Sequence, residues 1–172
     1  MGAWDSFVLM RAVQLVGPLE GWEDAGDAVG EFDGGWTLWR FPDSDVAEEP
    51  HDLLDGLVTA TGQPALTAYL LDSDQLDIAG FSWPHGLWRA LAPPTRPIDE
   101  RLLEHFEEEP DPADRLGHVE ATAAALAWAS VAGKSGDRAA LHGLFANADE
   151  KVFGGERAIG FLLAGLGFAA TR

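Results

Sequence analysis

ALTAYLLDSDQLDIAGFSWPHGLWRALA, residues 65–92, decides the fold. Three runs, Ala65–Leu71, Leu76–Trp83 and Leu87–Leu91, are apolar and carry the β-branched and aromatic residues that suit a pleated surface. The links between them hold turn residues: Asp72-Ser73-Asp74-Gln75 in the first and Pro84-His85-Gly86 in the second. Strand-like runs joined in this way are the signature of a β-meander.

The first link also raises a chemical question, because Asp72, Asp74 and Asp77 are carboxylates close together. An EF-hand calcium loop starting at Asp72 would need an acid at its fifth position, Gly at its sixth and Glu at its twelfth. Leu76, Asp77 and Trp83 stand there instead. AYLLDSDQL resembles, over its first eight residues, the Asp-x-Asp motif of haloacid-dehalogenase-like phosphatases. That resemblance implies Asp72 as nucleophile, Asp74 as general acid, a magnesium ion and a parallel sheet. A meander is not parallel. The reading that needs least is a hairpin turn stabilised by Asp and Ser side chains on nearby backbone N–H groups.

Outward from the meander, Ser6–Val16 reads as a strand with Phe7, Leu9, Val13 and Leu15 on one face, stopped by Gly17-Pro18. Residues 19–35, rich in glycine and acids, read as a long acidic loop or short helix. WTLWRF, residues 36–41, alternates as a strand. A helix is expected from Pro50, with Leu53, Leu54, Leu57 and Val58 at helical spacing and Gly62 as its stop. After Pro93, Pro94 and Pro97 the period becomes helical: a short helix around residues 98–109 and a longer one from Pro112 to Gly133 striped by Leu116, Val119, Ala123, Leu126 and Ala127. Arg138–Ala146 is a third and Lys151–Ala169 a fourth, the last weakened by its glycines. Strands followed by helices mean an α+β fold. The expectation is an antiparallel sheet of about five strands with one inserted helix in residues 1–96, and a helical part in 97–172 packed on it.

The chain has 172 residues, 47% hydrophobic, and no cysteine, so it holds a core and no disulfide or thiolate metal site. Its N-terminus lacks the layout of a signal peptide, and its longest uncharged apolar run falls short of the roughly 20 residues that span a bilayer. A soluble cytoplasmic protein is expected. Nine arginines against two lysines, with abundant alanine and glycine, fit a GC-rich bacterial coding sequence. The net charge is −18. Residues 1–56 carry −11 of it and residues 99–115 another −6, whereas residues 116–172 are neutral. Such a field repels nucleic acid and anionic membrane and attracts a basic partner. It also serves plain solubility.

No cofactor motif stands out. AGKSG, residues 132–136, lacks the glycine a phosphate loop needs five residues earlier, where Trp128 stands. The five histidines include no His-x-x-x-His pair. His85, between Trp83 and Trp88, is a turn residue without a recognisable catalytic partner. Seven tryptophans are many for this length and mostly suit core packing. Trp36 and Trp39 fall on opposite strand faces, and tryptophans among acids have the composition of a protein-binding hot spot.

Three functions are therefore weighed. The first is an acidic interaction module of immunity or inhibitor type that neutralises a basic protein such as a toxin. It would use Trp22, Glu23, Asp24 and Asp27 in the first acidic loop, Trp36, the carboxylates Asp72, Asp74 and Asp77, and the turn residues Trp83, His85 and Trp88. The second is an Asp-based metal-dependent hydrolase centred on Asp72 and Asp74. The third is a small-molecule binding domain with a Trp-lined pocket.

Overall fold

The computed structural model describes residues 4–71, 75–92, 115–146 and 156–171. Among these, six strands form one sheet: β1 (Ser6–Met10), β2 (Asp27–Phe32), β3 (Trp36–Phe41), β4 (Ala65–Leu71), β5 (Gln75–Ser82) and β6 (Gly86–Ala92). Their order is β2-β3-β1-β4-β5-β6, and every neighbouring pair is antiparallel. Helix α1 (Pro50–Thr61) is inserted between β3 and β4; α2 (His118–Val131), α3 (Arg138–Ala146) and α4 (Glu156–Gly165) follow the sheet. The fold is α+β, with one strand more than expected. No described helix is long and apolar enough to cross a membrane.

The meander runs as expected, with Leu71 paired to Gln75 and Ser82 to Gly86. Alternation along its strands sends side chains to two separate cores. Leu66, Ala68, Leu70, Leu76, Ile78, Trp88 and Ala90 face the C-terminal helices. Ala65, Ala79 and Phe81 face the other way, toward the α1 residues Leu53, Leu54, Leu57 and Val58. The sheet is thus covered on both faces, which explains why its central strands are apolar at nearly every position instead of every second one. α1 starts with Pro50 in its first turn, where the missing N–H costs nothing. It stops at Gly62, whose φ of 66° few other residues adopt and whose N–H reaches the Val58 carbonyl at 2.8 Å.

Trp128 of α2 joins the helices to the sheet. It is fully buried, and its indole N–H is shared between the carbonyls of Ala65 (3.0 Å) and Phe81 (3.2 Å), which are register partners on β4 and β5. Around it, Trp36 and Phe168 meet edge to face at 5.3 Å. The chain reaches this face by passing around β6. Arg115 is held on the α1-side face by Asp77, the Leu116 N–H bonds the Arg89 carbonyl of β6 at 2.9 Å, and α2 then begins on the opposite face.

Four expectations are corrected. β1 ends at Met10; Val13 is 84% exposed and Leu15 joins the α1-side core, opposite to Phe7 and Leu9. Part of the expected acidic loop is strand β2, an edge strand with a bulge between Ala28 and Gly30. α2 begins at His118, with Leu116 and Val119 exposed; its buried face is Ala121, Thr122, Ala125, Trp128 and Ala129. α4 is described from Glu156 and ends at Gly165. The helix expected around residues 98–109 lies outside the described residues.

Candidate interaction surface

Most exposed acids of the N-terminal half stand on two braced loops, and on the helix start that follows, at one end of the sheet. Register fixes which end: Asp27 pairs with Arg40, Ser6 with Phe41 and with Tyr69, and Leu71 with Gln75. The first loop, residues 20–26, follows a single 3-10 turn, Gly17–Leu19. Trp22 is half-buried and packs edge to face on Phe41, centroids 6.0 Å apart, while the N–H groups of Ala25 and Gly26 bond its carbonyl. Gly26 passes so close to the Phe41 ring that a Cβ would stand 2.4 Å from it. Trp22 therefore anchors the loop instead of offering its whole ring to a partner. Glu20, Glu23 and Asp24 project from it and Asp27 from the start of β2, all exposed. Hydrogen bonds from the backbone N–H groups of Glu23 itself and of Gly21 hold the Glu23 carboxyl below its ordinary value.

The second loop, residues 42–49, is fastened to the start of β1. Asp5 is 2% exposed; its carboxylate accepts from Arg40 Nε at 2.8 Å and from the Asp43 N–H at 3.0 Å. Ser6 donates to the Ser44 carbonyl at 2.6 Å and accepts from the Ala47 N–H at 3.0 Å. This bracing holds Asp43 at a φ of 47°, a left-handed conformation that aspartate tolerates better than most residues. Asp43, Asp45, Glu48 and Glu49 are exposed on this loop, followed by Asp52 and Asp55 on α1. Their mutual repulsion acts on neighbouring groups. Partial burial, then Asp45, then Glu49 push the Glu48 carboxyl up. Burial first, then Glu48 and Asp45, push the Tyr69 phenol up to about 12.

From Glu20 to Asp55 there are 12 exposed carboxylates, 10 of them on these loops, the start of β2 and α1; Glu31 and Asp33 stand at the β2–β3 turn, at the other end of the sheet. The basic residues of the described N-terminal segment up to β4 are Arg40, bound to Asp5, and Arg11, whose Nε donates to the Gly34 carbonyl at 2.6 Å. From His118 onward the described residues carry Lys134, Arg138 and Arg157 against Glu120, Asp137 and Glu156. The carboxylates of residues 43–49 were not among the expected docking residues.

The remaining expected site residues do not join this surface. Trp36 is 2% exposed and packs on Trp128 and Phe168. Trp88 is 6% exposed and lies over Gly80, where a Cβ would stand 2.4 Å from its indole nitrogen. Both belong to the core, because the C-terminal helices cover the face they occupy. Asp77 is interior as well. Arg115 grips it with two hydrogen bonds of 3.0 and 2.6 Å, and Arg89 adds one of 2.7 Å. Trp83 (64% exposed) and His85 stand at the β5–β6 turn, at the opposite end of the sheet from loops 20–26 and 42–49. Trp83 leans edge-on against Phe81 at 5.7 Å. Asp72 and Asp74 lie outside the described residues. The strands on either side of them are antiparallel, unlike the parallel sheet that the phosphatase resemblance implies.

Among the described residues no group of three or more His, Asp or Glu side chains is placed to hold a metal ion. The tryptophans that a binding pocket would have used, Trp36, Trp88 and Trp128, are packed against one another's neighbours in the core. Comparison with protein-family models, with curated proteins and with solved structures finds no match to this chain.

Proposed function

We propose that this chain is an acidic interaction module that docks a basic protein partner on loops 20–26 and 42–49 and the adjoining exposed side of α1. The observation that carries the reading is the 10 exposed carboxylates of residues 20–27 and 43–55, on loops that Trp22, Asp5 and Ser6 hold in place and on the start of α1. A fixed array of like charges stores repulsion that an incoming cation releases, and its field accelerates encounter with a positively charged surface. Because the array does not collapse on binding, little ordering entropy opposes association. A neutralising, immunity-type role against a nuclease or similar toxin fits these properties, since carboxylates presented in an array imitate the phosphates such a protein binds.

The test has two steps. Partners captured from the native host's lysate are identified and purified, and their affinity is measured across a salt series. The expected result is a partner with a basic face, association that slows steeply as salt rises, and a shallower salt slope for the triple variant Asp24→Asn, Asp27→Asn, Glu48→Gln. Affinity indifferent both to salt and to that triple variant sinks the reading.

A further inference from the structure

We propose that His118 and His142 form a two-imidazole binding site for a borderline transition-metal dication, with zinc as the reference ion. The site lies on the C-terminal helices, away from the acidic loops, and stands independently of the docking role.

The two rings come from different helices and meet edge to face, with centroids 5.2 Å apart and an interplanar angle of 82°. An imidazole nitrogen bonds zinc at about 2.0–2.1 Å, which puts the ring centroid about 3 Å from the ion; two rings at a tetrahedral angle are then about 5 Å apart. Stacked aromatic pairs also occupy such separations. What distinguishes this pair is that both side chains are exposed and, among the described residues, no hydrogen bond or ion pair engages either imidazole. His51, by contrast, sits 3.4 Å from the Asp52 carboxylate.

Both ligands are held by packed backbone. His142 lies between the buried Leu141 and Leu144 on α3. The carbonyl of His118, at the start of α2, accepts the hydroxyl of buried Thr122 at 2.6 Å. A site preset on two packed helices binds more tightly than the same residues on a free chain, because less ordering is needed. No third His, Asp or Glu completes the set among the described residues, so water fills the remaining positions. That makes the affinity modest and the exchange fast.

A cleft of about 470 Å³ adjoins His142, lined also by Val119, Thr122, Arg138 and Ala139. Arg138 places a positive charge beside the site, and Glu120 in the first turn of α2 is the acid nearest in sequence to His118. Arg138 weakens a bound cation and would strengthen a bound anion. The sign of its effect therefore tells the two ligand classes apart.

The experiment titrates the untagged chain with zinc chloride, reading heat and the nitrogen-15 signals of the imidazoles together. Expected are one zinc per chain, shifts confined to His118 and His142, and a loss of at least ten-fold in affinity for His118→Ala or His142→Ala. His51→Ala should bind as the wild type does, and Arg138→Gln a few-fold more tightly. The imidazole signals of the unaltered chain report occupancy even if a variant fails to fold. Wild-type affinity in both histidine variants, unmoved imidazole signals at saturation, or weaker zinc binding in Arg138→Gln would each overturn the proposal.

Discussion

Tyr69 is the chain's one tyrosine, so its ionisation can be followed alone by the absorbance of the phenolate. The structure places it under carboxylates, and its phenol is pushed from 10 to about 12, by burial first and by Glu48 and Asp45 after that. A raised value means that the folded state holds the phenol proton more tightly than the unfolded state does. The stabilisation is complete below pH 10 and disappears as the pH climbs to about 12. A spectroscopic titration should therefore show a midpoint near 12, moving down part of the way in Glu48→Gln and leaving the burial effect behind. Asp77 makes a second residue-scale prediction. Asp77→Asn leaves the guanidiniums of Arg89 and Arg115 facing each other in the interior, and breaking a buried ion pair from one side costs about 3–5 kcal/mol. Denaturant unfolding should show the loss, and the double variant Asp77→Asn, Arg89→Met should recover part of it. Gly80→Ala tests the contact beneath Trp88: the added methyl overlaps the indole, and overpacking of this kind costs about 1–3 kcal/mol in the same assay. None of these roles was legible in the sequence. Alternation separates Trp36 from Trp39 and Asp77 from Ile78, but not which face stays wet. That depended on helices far along the chain.

The elements themselves were read unevenly, for physical reasons. β3, β4 and α3 stand where alternation and helical spacing put them, because tertiary packing rewards the same residues that the pattern marks. β2 is different: DAVGEF buries only Phe32, so burial leaves almost no periodic mark on it, and its pairing to β3 is what makes it a strand. α2 failed in phase, since HVEATAAALAWASV is apolar nearly all round and small residues fit the sheet from several sides. Trp128 selects the side, through its bond to two strand carbonyls. The sheet also manages its exposed edges by element. Leu116 occupies a carbonyl on the outer edge of β6; Ala170 bridges Phe32 and the Thr171 N–H bonds the Glu31 carbonyl on the edge of β2. An uncovered strand edge is a template for pairing with another chain. Deleting residues 170–172 should therefore raise self-association at high protein concentration, measurable by sedimentation velocity, with little change in helix content.

At the scale of the whole molecule the dominant fact is an uneven charge. The exposed carboxylates crowd the N-terminal half, while the described C-terminal helices carry about as many bases as acids. Like charges held close together raise the free energy of the compact state, and salt screens them over roughly 10 Å at 0.1 M. The melting temperature should therefore rise as sodium chloride is added, and the rise should be smaller in the triple variant Asp24→Asn, Asp27→Asn, Glu48→Gln. A melting temperature independent of salt would show that the carboxylates are spaced too widely to repel, and would weaken the docking reading with it. The charge imbalance was plain in the sequence. Its fixation by Asp5, Ser6 and Trp22 was not, because those contacts join residues up to 41 positions apart.

The pairing of Phe168 with Phe32 and Trp36 has a consequence for the order of events during synthesis. On the ribosome, β2 and β3 emerge more than a hundred residues before their partner ring does. The face of the sheet toward α1 can close early, since α1 leaves the tunnel before β4. The opposite face, with Trp36, Leu38, Ile78 and Trp88, waits uncovered until α2 to α4 arrive. Contacts of such long sequence separation make folding slow. The nascent chain passes through an interval in which one apolar side of its sheet is bare, and a trigger-type chaperone has its opening there.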